Sequence, residues 1–367
     1  MAEKTDFIVI GGGIAGLSVA YELSAYGSVI VLEAEGAVGY HSTGRSAAVM
    51  SENYGPALWS RLVTASRPFL ESPPDGFVEV PLVSPRGALF LALQHEQDAL
   101  RAQADELARR GASFELMTPD DALMGGYSRA LRRRGGQIVT NSPVVRLAVE
   151  LAGWHVWTDK AEFSAGTVIN AAGGWAQQVA KMAGLGYRNV VPFRRTAVTF
   201  DPPMGSDIKS WPMTFDVAET FYFKPESGRI MVSPVDMKPS EPCDAQADEL
   251  ETAIAIDRIH TFTTMEVRSI SHKWGGLRTF APDHEPVIGR DPEVDNFIWL
   301  AGQGGNGVMA GPAAARLAAS LATGSAIPPD IAALGITEES ASPGRPCVVD
   351  ADGGVVVGTM EQFEADA

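Results

Sequence analysis

Gly11, Gly13 and Gly16 follow the spacing G-x-G-x-x-G, and Glu33 closes the next apolar run. In such a pattern the first glycine makes a tight turn, the second lets backbone approach a pyrophosphate, and the third lets a helix pack closely on a strand. The helix that follows offers free N–H groups to the anion, and an acid in the place of Glu33 binds a ribose hydroxyl. A second set of small residues, Gly39-Tyr40-His41-Ser42-Thr43-Gly44-Arg45-Ser46-Ala47-Ala48, suits backbone lying against a flat ring, with Arg45 placed to pair with a phosphate.

These residues need particular elements to position them. Phe7 to Ile10 is a short apolar run ending in glycines; Ile14, Leu17, Ala20 and Tyr21 then repeat at helical spacing up to Gly27, and Val29 to Leu32 is a second apolar run. Strand, glycine turn, helix and strand make a β-α-β unit. The same arrangement is expected twice more, from Thr167–Asn170 into Ala171-Ala172-Gly173-Gly174-Trp175 and from Phe297–Ala301 into Gly302-Gln303-Gly304-Gly305-Asn306-Gly307. Between them Val198–Phe200, Thr220–Phe223 and Arg229–Val232 read as antiparallel strands of a second domain. Thr118-Pro119-Asp120-Asp121 has the form of a capping box, and the helix it starts runs into Arg132–Arg134 and stops at Gly135-Gly136.

Composition removes several function classes. With 29 basic and 45 acidic residues the net charge is −16, the wrong sign for neutralising nucleic-acid phosphates or an anionic membrane surface. A hydrophobic content of 45% with 20% charged residues fits a folded globular chain. Cys243 and Cys347 form no C-x-x-C pattern, and no apolar stretch is long enough to span a bilayer. A protein of the reducing cytoplasm, without a secretory leader, is therefore expected. The histidines His41, His95, His155, His260 and His272 lack metal-ligand spacing. Asp283-His284-Glu285 lies between prolines and reads as a solvated loop.

The glycine pattern does not distinguish NAD from FAD, which share the adenosine and pyrophosphate. Glycine-rich turns recurring near residues 173 and 304 favour an extended flavin held from several segments, and so FAD. The opening unit, the 39–48 run, Val144, Asn170 to Trp175, Trp274-Gly275-Gly276-Leu277-Arg278 and Gly302 to Gly307 together resemble the FAD-dependent D-amino-acid oxidase and dehydrogenase family, with the nearest likeness to its D-arginine dehydrogenases.

The resemblance implies an α/β chain, α+β overall: a Rossmann-type FAD-binding domain (1–83, 135–190 and 275–326), a mixed or antiparallel-sheet substrate domain (84–134 and 191–274), and a docked or partly disordered tail (327–367). It implies a noncovalent FAD held by Gly11, Gly13, Ile14, Ala15, Gly16, Glu33, Ala34, His41, Ser42, Thr43, Arg45, Ser46, Ala47, Ala48, Val144, Ala171, Gly173, Trp175, Gly302, Gly304, Gly305, Asn306, Gly307 and Val308. Arg195 and Arg278 match an arginine pair that clamps a substrate carboxylate, Tyr222 a tyrosine that donates to it, Tyr54 a tyrosine on a covering loop, and Gly305 a backbone position facing the flavin and the substrate amine. The implied partners are a small amino acid, whose α-hydrogen leaves as hydride and whose imine hydrolyses to a 2-oxo acid and ammonia, and an electron acceptor that the motifs do not identify.

Two departures bear on the substrate. The glutamate with which D-arginine dehydrogenases meet the basic side chain is matched by Ala88, a lid histidine is matched by Val49, and Met213 and Phe215 line the same pocket by resemblance. A guanidinium there would lack its partner, so neutral or apolar D-amino acids are expected. Glycine- or sarcosine-oxidase-like chemistry is the alternative, and a flavin-binding protein without turnover a further one. Between Glu115 and Asp121 a stretch of the family, including a strand, is absent, which is expected to leave a sheet edge or apolar face exposed.

Overall fold

The computed structural model describes residues 2–52, 55–78, 81–85, 88–96, 98–99, 101–102, 114–117, 120–150, 153–186 and 188–349. Two main sheets carry the site. The first has the order β17 (Val287–Arg290), β18 (Phe297–Ala301), β10 (Glu162–Asn170), β1 (Glu3–Ile10), β2 (Val29–Leu32), β7 (Gln137–Val139), with β8 (Val144–Glu150) and β9 (Gly153–Thr158) added antiparallel beside the start of β10. From β18 to β7 the strands are parallel, in register Val9↔Ile169 and Val9↔Val31 across β1.

Successive residues of a strand point to opposite faces, and here both faces are covered, which explains the unbroken apolar run in β1. Phe7, Val9 and Val31 pack with helices α1 (Ile14–Leu23), α2 (Ala57–Glu71), α3 (Asp120–Arg133) and α6 (Gly307–Thr323). Ile8, Ile10, Ile30 and Leu32 pack on the other side, against α4 (Ala176–Met182). Helix α3, placed above with the substrate domain, shares this first core: Tyr127 is edge-on to Tyr21 of α1 with ring centroids 5.6 Å apart.

The second sheet runs β15 (Lys238–Pro239) and β14 (Arg229–Ser233) side by side on one edge of β11 (Val191–Phe200), then β13 (Tyr222–Glu226), β12 (Met213–Asp216) and β5 (Ala88–Leu91), with β16 (Ile270–Phe280) on the other edge of β11. It is antiparallel except where β5 joins β12. One face, with Val198, Phe200, Phe223, Ile230 and Val232, buries against Ala255 and Ile259 of α5 (Glu249–Phe262). The opposite face is turned to the site. Residues 275–280, read above as part of the cofactor domain, belong to this sheet through β16.

Strands β3 (Met50–Ser51), β4 (Val83–Pro85) and β6 (Phe114–Met117) form a small third sheet. Among the described residues β5 has β12 as its only strand neighbour, and its Leu89 is 47% exposed. Thr118 and Pro119 of the expected capping box lie outside the described residues. Past residue 327 the chain is docked as far as residue 349: Ile331, Ile336 and Ala341, on and between α7 (Pro329–Ala332) and α8 (Glu338–Ala341), enter the first core, and the Val348 carbonyl accepts the Asn189 N–H at 2.8 Å.

Candidate active site

The glycine turn closes at the C-terminal end of β1. Gly11 has φ of +107°, and a Cβ there would stand 2.5 Å from the Ala171 carbonyl oxygen; one on Gly16 would stand 1.8 Å from the Gly11 oxygen. Side chains are excluded at both places by backbone that cannot yield. The Glu33 carboxylate accepts the Gly12 N–H at 2.6 Å and the Glu35 N–H at 2.8 Å, which locks the turn to the end of β2. Helix α1 starts without a side-chain cap or an acid in its first turn, and the Ile14 N–H meets Thr43 Oγ1 at 3.1 Å. An uncompensated helix start of this kind favours an anion.

Residues 42–46 are bonded to the second sheet. Ser42 Oγ donates to the Leu277 carbonyl at 2.5 Å, and Trp274 Nε1 donates to the Arg45 carbonyl at 3.1 Å. Arg45, expected to pair with a phosphate, is bonded to the second sheet. Its guanidinium donates to the carbonyls of Ala245 at 3.0 Å and Gly275 at 3.1 Å and pairs with the Asp244 carboxylate. With a carboxylate and two carbonyls accepting from it, the fork is directed at the sheet. His41 bonds Glu35 at 3.0 Å and lies against the Trp175 ring at 4.5 Å.

The register of the second sheet assembles the other wall. Arg195 stands opposite Gly276 and Ala197 opposite Trp274, so alternation puts Arg195, Ala197, Trp274, Gly276 and Arg278 on one face. The same bookkeeping through β14, β13, β12 and β5 adds Met231, Tyr222, Lys224, Met213, Phe215 and Ala88. Arg195 and Tyr222 are buried, and Ala197, Met213, Tyr222 and Met231 form one apolar cluster against which Ala47, Val49, Phe215 and Trp274 pack. Lys224 is also buried, its ammonium 2.6 Å from Glu226.

Gly302 and Gly304 have φ of +68° and +51°, and a Cβ on Gly304 would strike the Phe280 ring at 2.4 Å. Helix α6 then begins at Gly307 with its N-cap, Asn306, making no side-chain cap bond. Among the described residues Gln303 Nε2 and Asn306 Oδ1 are buried polar atoms without a hydrogen-bond partner. Buried amides without partners are costly, and of the two Gln303 lines the cleft, where a polar group of a bound ligand would satisfy it.

Between the walls lies an open cleft of about 850 Å³. The residues expected from the sequence that line it are Ile14, Ser42, Thr43, Arg45, Ser46, Ala47, Gly173, Arg195, Tyr222, Arg278, Gly302, Gly304, Gly305, Gly307 and Val308. Gly11, Gly13, Ala15, Gly16, Glu33, Ala34, His41, Ala48, Val144, Ala171, Trp175 and Asn306 stand outside the lining. Several of these surround the glycine turn, whereas Val144 pairs with Thr158 at the start of β8 and packs against the second core. Tyr54 lies outside the described residues. Gln303, Thr279, Ala197, Leu300 and Ala301 also line the cleft and were not singled out; for Ala197 the signal was available, since it is two residues from Arg195 on a strand.

Asp283-His284-Glu285 turns out to be structural. Asp283 takes two bonds from Arg345, at 2.9 and 3.0 Å, tying down the C-terminal segment. The Glu285 carboxylate accepts the Leu58 N–H at 3.1 Å at the start of α2, and burial pushes its pKa up while pushing that of His284 down.

A doubly covered parallel sheet with a glycine turn, joined to an antiparallel sheet bearing two arginines, is the architecture of a dinucleotide-binding protein. The family model described as FAD-dependent oxidoreductase matches residues 6–124 and 120–321, and the chain belongs to that family. Its cofactor is FAD, and it is an oxidoreductase. The chain is 25% identical over 367 residues to glycine oxidase of Bacillus licheniformis, covering 89% of this chain and 95% of the relative. Its fold is that of glycine oxidase from Geobacillus kaustophilus, with a TM-score of 0.76 at 18% identity, covering 89% and 96% of the two chains. It also matches L-alpha-glycerophosphate oxidase from Mycoplasma pneumoniae solved with FAD bound, with a TM-score of 0.75 at 18% identity, covering 88% and 95%.

Proposed function

We propose that the protein oxidises the C–N bond of a D-amino acid with a neutral or apolar side chain, by hydride removal from the α-carbon. The observation that carries this reading is the convergence of Arg195, Arg278 and Tyr222 on one cleft face, with Gly305 against the Arg278 guanidinium. Two guanidinium forks and a phenol hydroxyl suit an α-carboxylate, which they grip and orient so that the α-carbon has one fixed presentation. The turns at 11–16, 42–47, 173 and 302–308 hold a noncovalent FAD, which when bound supplies the two-electron acceptor.

Among the described residues no Asp, Glu or His lines the cleft. Two nearby guanidinium groups disfavour an ammonium ion beside them, so the substrate amine binds neutral, having left its proton in solvent, and no protein base is required. Met213, Met231 and Phe215 exclude water from the side-chain end. On that same face Ala88 offers no countercharge to a basic side chain, and the buried Lys224 ammonium is already paired with Glu226. Among the described residues no helix is long and apolar enough to cross a membrane.

Similarity to a glycine oxidase over most of both chains supports a second reading, with glycine or sarcosine as substrate. Anaerobic mixing with a panel decides between them. Bleaching of the flavin band by D-methionine, D-leucine or D-phenylalanine well ahead of D-arginine and glycine is expected; preferential bleaching by glycine or sarcosine moves the assignment to the second reading, and an unchanged band across the panel means the fold has lost turnover.

A further inference from the structure

Residues 244–248 form a strap between β15 and α5 that touches both halves of the site. At one end the Arg45 guanidinium, from the cofactor-binding turn, pairs with Asp244 and donates to the Ala245 carbonyl at 3.0 Å. At the other, Asp248 accepts a bond from Arg194 at 2.5 Å and its N–H donates to Thr196 Oγ1 at 3.2 Å, so the strap is fastened on either side of Arg195. In the middle it lies directly on β16: a Cβ on Gly275 would come within 2.5 Å of the Gln246 carbonyl oxygen. Arg45 itself donates to the Gly275 carbonyl at 3.1 Å and accepts from Trp274 at 3.1 Å. The strand bearing Arg278, the strand bearing Arg195 and the turn that holds FAD therefore share one fastening.

We propose that Arg45 and Asp244 are positioning residues, a clasp that couples occupancy of the cofactor site to the arrangement of the Arg195 and Arg278 clamp. By linkage, whatever orders the 42–46 turn also orders the strap and β11, and the reverse. Asp244 is half-exposed, so its change to an isosteric amide leaves the core untouched. The clasp rests on the reading of Arg195 and Arg278 as a carboxylate clamp, but titration with FAD involves no substrate, so the two ideas fail separately.

The experiment is FAD titration of the apoprotein, followed by fluorescence, for wild type, Asp244→Asn, Asp244→Glu and Gly275→Ala. Loss of one charge-assisted contact from a coupled pair predicts an FAD Kd raised about tenfold in Asp244→Asn, partial recovery in Asp244→Glu, and an unchanged Tm of the apoprotein. In the reconstituted Asp244→Asn enzyme, KM rises more than kcat falls. Gly275→Ala, which pushes the strap off β16, gives the same loss by a second route. An FAD Kd within twofold of wild type in both Asp244→Asn and Gly275→Ala overturns the clasp.

Discussion

The Arg278 guanidinium lies against the backbone of Gly305: a methyl group built on the glycine would stand 3.0 Å from Nη1 and 3.2 Å from Cζ. A side chain at 305 therefore competes with the arginine for the space in which it works. Gly305→Ala is expected to raise KM by about tenfold with FAD still bound, because the guanidinium is displaced by a few tenths of an ångström from its bidentate geometry. Arg278→Met removes the charge altogether, and steady-state kinetics should show a loss of roughly a hundredfold or more in kcat/KM. Equal KM values in Gly305→Ala and wild type contradict this picture of the clamp.

Ala88 stands beside Met213 in the parallel pair of β5 and β12, on the cleft face and in the same row as Lys224. Ala88→Glu with Lys224→Met supplies a carboxylate there, removes the ammonium and frees the Glu226 carboxylate with which it pairs. The ratio of kcat/KM for D-arginine over D-leucine is expected to rise by at least tenfold in the double variant, in line with a buried charge gaining its partner. A ratio that does not move shows that the side-chain pocket lies elsewhere.

Gly16 has backbone, not a movable side chain, in the way of any Cβ. Gly16→Ala should be purified without its yellow colour, or lose FAD at least tenfold faster on dilution, since the turn must open to admit the methyl group. Retention of flavin at wild-type affinity argues that the pyrophosphate does not use this turn.

Glu22 on α1 is largely buried near Arg316 and Arg134, and burial raises its pKa to about 7 from the usual 4.5. The folded state thus binds the proton more tightly than the unfolded chain. The associated stability is fully present below pH 4.5 and is lost as pH rises through about 7. The difference corresponds to on the order of 3 kcal/mol at most. Glu22→Gln should melt higher than wild type at pH 8 and show little difference at pH 5; a pH-independent gap between the two Tm values counts against a buried, protonating Glu22.

Much of the site was legible locally. The β1–turn–α1–β2 unit follows from the G-x-G-x-x-G spacing, in which the Gly11 carbonyl oxygen excludes any side chain at Gly16, and from apolar periods that change from strand to helix within one short segment. The turn at 302–307 was equally readable, because left-handed backbone at Gly302 and Gly304 leaves its mark in residue type. Arg45 was not readable in this way: nothing in a run of small residues says that a guanidinium will reach Asp244, its partner 199 positions further along the chain.

The sequence by itself determined the class of cofactor, since that depends on short-range steric rules for approaching a pyrophosphate. Only the tertiary structure decided which residues face the cleft. Arg195 and Arg278 share a wall because β11 and β16 pair in the register Arg195↔Gly276, and a slip of one residue would turn either arginine to the opposite side of the sheet. That register is set by the summed burial of both faces, against α5 on one side and around the cleft on the other, which no local pattern contains.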